Sequence, residues 1–486
     1  MIKKILTVLG LGLLLLITVI LVNTFRKKPF PVVSEKIENR PFPDSAIAHM
    51  SGAVQIPTIS ISEYGAIDTA AFKAFGVFIE QSYPLVHQHL SKTLINEFSF
   101  VFEWKGKQAA MAPFIIMGHY DVVPVETSSL EEWKAPPFSG AVMDSCIWGR
   151  GSLDDKYGVI CILEAAEALL RKGFTPQRTI YLCFGHDEEL RGRSAAAVVQ
   201  YLEQKKVRAE MVLDEGGQIN VEKIKEVNRP VAVIGVAEKG YASFELSVHK
   251  EGSHSSIPDK ETAIDILAAG LHRLRSNIPP AKITPPVREF LSRVSVSSDD
   301  FLLRAAGANM WLFEGVAKKI MSARPEGYAM IHTTIVPVIL ESGLKENIIP
   351  ANAKAIINSR ILPGETAQTV EDYMRHVIHD ERVVIKNVSK AGSDPSTVTS
   401  ITSAAFKRVE SAIHKTVPNV LITPYLSVGA TDSRYYRKIS DGVVGFLPLT
   451  DSKGFHGVNE RLPLRDLQRG INFFMTIMEE ERQEFK

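Results

Sequence analysis

"TIYLCFGHDEELRG", residues Thr179 to Gly192, runs from a strand-forming stretch straight into three consecutive carboxylates, Asp187, Glu188 and Glu189. Its first half is β-branched, aromatic and almost uncharged, the pattern of a strand buried on both faces. The segment after it, "SAAAVVQYLEQKK", has helical periodicity. Adjacent carboxylates repel each other. The cluster is therefore either a solvated turn or one wall of a site that receives positive charge.

The same alternation extends outward. "PFIIMGHY" reads as a strand, "YGVICILEAAEALLRKG" as a helix stopped by glycine, and "AEMVLDEGG" as another strand. Strands separated by helices predict an α/β fold with a mostly parallel sheet covered on both faces. From about Tyr241 the rhythm changes: "SFELSVHK", the helix "AIDILAAGLHRLRS", then "HTTIVPVILESG", "AKAIINSRIL", the helix "AQTVEDYMRHVIHD" and "ERVVIKNVS". That order, β-α-β-β-α-β, predicts a ferredoxin-like α+β unit. Between its first helix and second strand, Ile278 to about Glu326 reads as irregular and Pro-containing. Past Gly392 the α/β pattern resumes, with a closing helix from Leu464. At 486 residues the chain exceeds one ordinary core. The expected division is an N-terminal anchor over 1–30, a linker over 31–45, an α/β part over 46–239, the inserted unit over 240–390 and the second α/β part over 391–486.

With 56 basic and 55 acidic residues the charge is balanced, and no basic stripe with interleaved aromatics suggests a nucleic-acid partner. Ile5 to Val22 is apolar and uncharged; its eighteen residues cover roughly 27 Å as a helix, about one hydrocarbon core. It is followed by Arg26-Lys27-Lys28 rather than a small-residue cleavage site, so an uncleaved single-pass anchor is expected, with a cleaved signal and secretion as the alternative. Basic residues on both sides do not settle the orientation, and an extracytoplasmic catalytic domain is expected. Cys146, Cys161 and Cys183 sit in apolar surroundings and read as buried small hydrophobes.

Polar residues collect where the α/β strands end: His119-Tyr120-Asp121, the opening cluster, Asp214-Glu215-Gly216-Gly217, and Phe455-His456-Gly457. "WGRGSLDDKYG" carries Asp154 and Asp155 into a helix. Each has an ordinary explanation: a hydrogen-bonded His–Asp pair, a helix N-cap, a loop histidine. "GRGS" lacks the spacing of a phosphate loop. In open α/β sheets, however, strand ends share one crevice. Two histidines and several carboxylates packed there need a compensating cation, and a borderline divalent ion such as zinc accepts that donor mixture.

"GHYDVVP", "GRGSLDDK", "GHDEE", "LDEGG", "GSHSSIP" and "FHGVNERL", in that order, resemble the motif set of the M20 metallopeptidases, over nearly all of the chain after residue 45. Within that family, the apolar N-terminus, "DEGG" and the long stretch after Arg275 look like the carboxypeptidase S and N-acyl-amino-acid hydrolase branch. The resemblance implies a di-zinc exopeptidase-type domain with an inserted lid or dimerisation domain, and two Zn2+ per subunit, replaceable by Co2+ or Mn2+. His119 would bind one zinc with Asp121 orienting its ring, and Asp154 would bridge both. Glu189 and His456 would complete the other site. Asp214 or Glu215 would complete the first, with a slight lean to Asp214. In this family the Asp154–Asp155 peptide is commonly cis. Glu188 would be the general base for the attacking water, and His254 an oxyanion donor reaching from the inserted domain of a partner subunit. Arg360 would hold the substrate's carboxylate, with Asn347 and the backbone from Gly429 to Tyr436 as further contacts. The implied activity is hydrolysis of a small peptide or an N-acyl amino acid, with a strict dipeptidase as one alternative and a non-catalytic metal-stabilised binding protein as another. Asp187 has no assigned role.

Overall fold

The computed structural model describes residues 1–30, 40, 42–60, 68–221, 224, 227–389, 392–450 and 452–479, so most of the linker expected over 31–45 lies outside the described residues. At the centre of the main sheet, strands Ile180–Gly185, Phe114–His119, Met211–Asp214 and Val443–Gly445 lie side by side and parallel. Their register puts His119 opposite Gly185 and Gly445 opposite Asp214, so these carboxyl ends share one edge. The flanks differ from the expected mostly parallel sheet. Ser99–Trp104 joins antiparallel on one side, and Val231–Glu238 pairs antiparallel with Val443–Gly445 on the other. The sheet is therefore mixed. Ser91–Ile95 and Ser99–Trp104 form a hairpin whose turn places Asn96 and Glu97 at φ 48° and 67°, a left-handed pair of the sort tight hairpin turns require.

Both faces of the sheet are covered, which is why its central strands are apolar throughout. Phe114 and Ile116 join one core cluster with helix Lys156–Arg171, while Ile115 and Met117 join another with helix Arg193–Gln204. The closing helix Leu464–Glu479 lies on the first face, where Tyr157 donates to the Asp466 carbonyl at 3.0 Å. Contact there is close enough that a Cβ at Gly470 would meet the Tyr157 hydroxyl at 2.5 Å and Cys161 Sγ at 2.6 Å. Cys161 and Cys183 are buried as expected; Cys146, on the short strand Cys146–Trp148, is only half-buried.

A second sheet has the order Thr334–Ser342, Asn352–Ile361, Gly240–His249, Val384–Asn387, with every pairing antiparallel. Helices Ala263–Ser276 and Ala367–Ile378, each opened by a threonine capping box, cover one face. Phe244, Leu246 and Val248 alternate inward to meet Ile266, Leu267, Met374 and Ile378 in a core of their own. The stretch from Ile278 to Glu326 is not irregular. It holds helices Pro285–Val296, Phe301–Ala308 and Met310–Ser322, and Pro325–Ile331 begins at its end. Pro285 and Pro325 stand at helix starts, where a missing N–H costs nothing; they open helices rather than break them.

Candidate metal centre

The shared edge of the parallel strands brings together side chains from five distant segments, one of them the end of strand Met211–Asp214, which delivers Glu215. Strand Phe114–His119 delivers His119, and the turn before helix Lys156–Arg171 delivers Asp154. The short helical turn after strand Ile180–Gly185 delivers Glu189, and the loop before Arg461–Pro463 delivers His456. Asp154 is the hinge of the arrangement. Its Oδ1 lies 2.9 Å from His119 Nε2, and its Oδ2 lies 2.6 Å from His456 Nε2. Each histidine has a second carboxylate on the same nitrogen: Glu215 Oε1 lies 3.6 Å from His119 Nε2, and Glu189 Oε1 lies 3.1 Å from His456 Nε2. Two donor groups result, His119–Asp154–Glu215 and Asp154–Glu189–His456, each with its ligand atoms within 4.8 Å of one another.

Asp154 is shared by both groups, and Glu215, rather than the Asp214 toward which the sequence leans, stands in the group with His119. Successive residues at a strand end point in opposite directions. Asp214 turns the other way, where its Oδ2 accepts from Thr431 Oγ1 at 2.7 Å and the Ser433 amide at 3.1 Å. It therefore secures the Gly429-to-Tyr436 segment, in which Gly429 itself is exposed.

Asp121 is fully buried beneath His119. Its Oδ1 lies 3.3 Å from His119 Nδ1, and its two oxygens accept from Ser60 Oγ and from the amides of Glu188 and Glu189. One carboxylate therefore fixes both a ring orientation and the position of the acidic turn. The Asp154–Asp155 peptide is cis. Asp155 caps the following helix by accepting from the Gly158 amide at 3.1 Å. Asp187 finds its role here as well: it accepts from the Ser194 amide at 3.1 Å in the first turn of helix Arg193–Gln204, where a negative charge meets the positive end of the helix dipole.

The electrostatics show a site short of positive charge. Burial would raise the Asp154 carboxyl, but hydrogen bonds from His119 and His456 hold it below the usual carboxylate range. His456 is lifted to about 10, first by its bond to Asp154 and then by Glu189. Glu215 is pushed up to about 7 by burial and by the charge of Asp154. Burial also raises Glu189, and it raises Glu188 far more, against the pull of His119. Imidazole and carboxylate donors, crowded until several carboxylates resist ionising, match a divalent cation of zinc's type. Glu188 belongs to neither donor group.

Two residues inside the expected motifs, Arg150 and Glu460, tie the site together. Arg150 Nη1 pairs with Glu460 at 2.6 Å, both side chains almost fully buried. Arg150 Nη2 donates to the carbonyls of His456 and Gly457, while Glu460 accepts from the amides of Leu153 and Asp154. The pair joins the two segments that carry His456 and Asp154. Removing one partner of such a buried pair leaves an uncompensated charge, so Arg150→Ala should lower the free energy of unfolding by about 3–5 kcal/mol. Denaturant titration of both proteins measures that difference.

The remaining expected residues stand apart from the donor groups. His254 lies exposed on the short strand Ser253–His254, with its ring nitrogen 2.7 Å from Ser256 Oγ. Asn347 is exposed on the adjoining segment and accepts from the Ser255 amide. Arg360 lies over the Tyr241 ring at 4.9 Å, and Arg191 lies over the same ring at 5.0 Å. Burial, offset in part by Tyr241, and the nearby charges of Arg191 and Arg434 pull the Arg360 guanidinium down. Sequence reading missed Arg191 and Arg434 in this cationic cluster, although Arg191 sits two residues from Glu189 in the opening stretch.

Residues 115–480 match the sequence profile of Peptidase family M20/M25/M40. "Probable carboxypeptidase S-like 2" of Dictyostelium discoideum is 36% identical over 440 residues, covering 88% of this chain and 83% of that protein. The human "N-fatty-acyl-amino acid synthase/hydrolase PM20D1" is 33% identical over 437 residues, covering 88% and 86%. Among solved structures, the M20 family metallo-carboxypeptidase Sso-CP2 from Sulfolobus solfataricus superposes with a TM-score of 0.66 at 18% identity, covering 90% of this chain and 99% of that one, a likeness of fold.

Proposed function

The chain belongs to Peptidase family M20/M25/M40, whose members hydrolyse peptide or amide bonds, and we propose that it is a membrane-anchored di-zinc hydrolase of N-acyl amino acids or small peptides with a free carboxylate. The observation that supports this reading is Asp154, which turns one oxygen to each histidine and so could serve two cations at once. His119, Asp154 and Glu215 would hold one zinc; Asp154, Glu189 and His456 would hold the other. Bound there, the metals would lower the pKa of water and polarise the scissile carbonyl.

The chain's own residues supply the rest. Asp121 keeps the His119 ring in its binding orientation. Glu188, outside both donor groups, takes the proton of the attacking water and passes it to the leaving amine. Arg360, with Arg191 and Arg434 beside it, binds the carboxylate of the substrate. The human relative is named for N-fatty-acyl-amino acids and the Dictyostelium relative for carboxypeptidase activity, so both substrate classes enter the test. His254 serves as an oxyanion donor from a second subunit. A homodimer through the second sheet suits its edge strand Thr334–Ser342, on which Val336, Val338 and Leu340 are exposed and whose outer edge pairs with no strand among the described residues. The helix Ile2–Arg26, exposed along almost its whole apolar length, would span the bilayer with the rest of the chain on the extracytoplasmic side.

The test is turnover by the full-length protein of matched N-acyl amino acids, dipeptides and their carboxyl-amidated forms. Blocking the carboxylate should lower kcat/KM at least about tenfold, the worth of a charged hydrogen bond. Equal turnover of free and amidated substrates would remove the role given to Arg360.

A further inference from the structure

The helix Met310–Ser322 is built inside out for a helix facing water. Its exposed residues, Trp311, Leu312, Gly315, Val316, Lys319 and Ile320, recur at helical spacing and form one stripe with a single charge. Trp311 is 61% exposed, Val316 55% and Ile320 57%, and none of the thirteen residues is buried. The polar side chains Glu314 and Lys318 lie on the inner flank instead, paired with each other and, for Glu314, with Arg288. The preceding helix Phe301–Ala308 adds Phe301 and Leu302, the latter 75% exposed. An apolar stripe outward and charges inward is the reverse of ordinary surface patterning.

What lies beside this stripe says what covers it. Asn309, buried at the start of the helix, accepts from Asn23 Nδ2 at 2.8 Å and donates to the Ile20 carbonyl at 3.2 Å. Phe301 meets Phe25 with ring centroids 6.2 Å apart. These contacts tie the stripe to the last turns of helix Ile2–Arg26, where the apolar run gives way to Arg26, Lys27 and Lys28. That transition is the level of a membrane–water interface, which tryptophan and lysine side chains favour.

We propose that the exposed face of Met310–Ser322, with Phe301 and Leu302, lies in the surface of the lipid bilayer beside the N-terminal span, Trp311 and Ile320 among the upper acyl carbons and Lys319 at the headgroups. This rests on helix Ile2–Arg26 being a membrane anchor. It adds a second, monotopic contact that fixes how the catalytic body sits over the lipid.

Trp311 makes the test direct, because the other tryptophans, Trp104, Trp133 and Trp148, are 4–8% exposed. Full-length protein is reconstituted into phosphatidylcholine–phosphatidylglycerol vesicles with acyl chains brominated near their headgroup end. Flotation is measured alongside tryptophan emission for wild type and W311F. The expected result is co-flotation of both proteins, with bromolipid quenching in wild type that is lost in W311F. Co-flotation without Trp311-specific quenching overturns the surface contact and leaves the anchor standing. Failure to float overturns the anchor, and the proposal with it. If I320C cross-links to a second copy while Trp311 escapes quenching, the face belongs to a dimer and the proposal is wrong.

Discussion

Glu188→Gln should keep its full complement of metal and lower kcat by about 10²–10⁴-fold, the usual contribution of a positioned acid–base group. The separation of effects follows from geometry. Glu188 and Glu189 are neighbours held by the same carboxylate, Asp121, which accepts from both their amides. Only Glu189 enters a donor group. Glutamine preserves the shape and the backbone bond of residue 188 and removes only the ability to take a proton. Loss of metal in this variant would make Glu188 a ligand, and unchanged kcat would deny it a role in proton transfer.

Asp154→Ala should do the opposite and lose metal and turnover together. Asp154 is the one residue common to both donor groups, so its removal leaves each with two donors. The fall in metal affinity should exceed the roughly 10–100-fold cost of losing a supporting residue. Asp214→Asn is the matched control. Asp214 bonds Thr431 and Ser433 rather than a histidine, so the variant should retain metal. Zinc analysis of the three proteins after dialysis measures both effects, with circular dichroism showing that each is folded.

How far the residues themselves spelled this out differs from place to place. The run "TIYLCFGHDEELRG" signalled both a buried strand and a charge-hungry turn, because strand ends in an α/β sheet collect at one edge whatever lies between them in sequence. His119, Asp154, Glu189 and His456 meet there. Asp214 and Glu215 could not be separated in the same way. Which of two successive side chains faces the crevice depends on where the strand stops, and only the pairing of Gly445 with Asp214 and the bonds from Thr431 fix that. Arg191 escaped notice because its meaning lies in Tyr241 and Arg360, from the second sheet, with which it shares a ring. The helices after Pro285 escaped because proline reads as a breaker until its position at a helix start is known. Asp187 needed Ser194 to explain it.

Metal counting joined to turnover tests the central claim most directly. Purified full-length protein, analysed by inductively coupled plasma mass spectrometry and assayed in parallel on an N-acyl amino acid, should carry two zinc ions per chain, one for each donor group around Asp154. Hydrolysis should stop on chelation and return with added zinc. A chain stripped of metal that hydrolyses its substrate at an undiminished rate would contradict it.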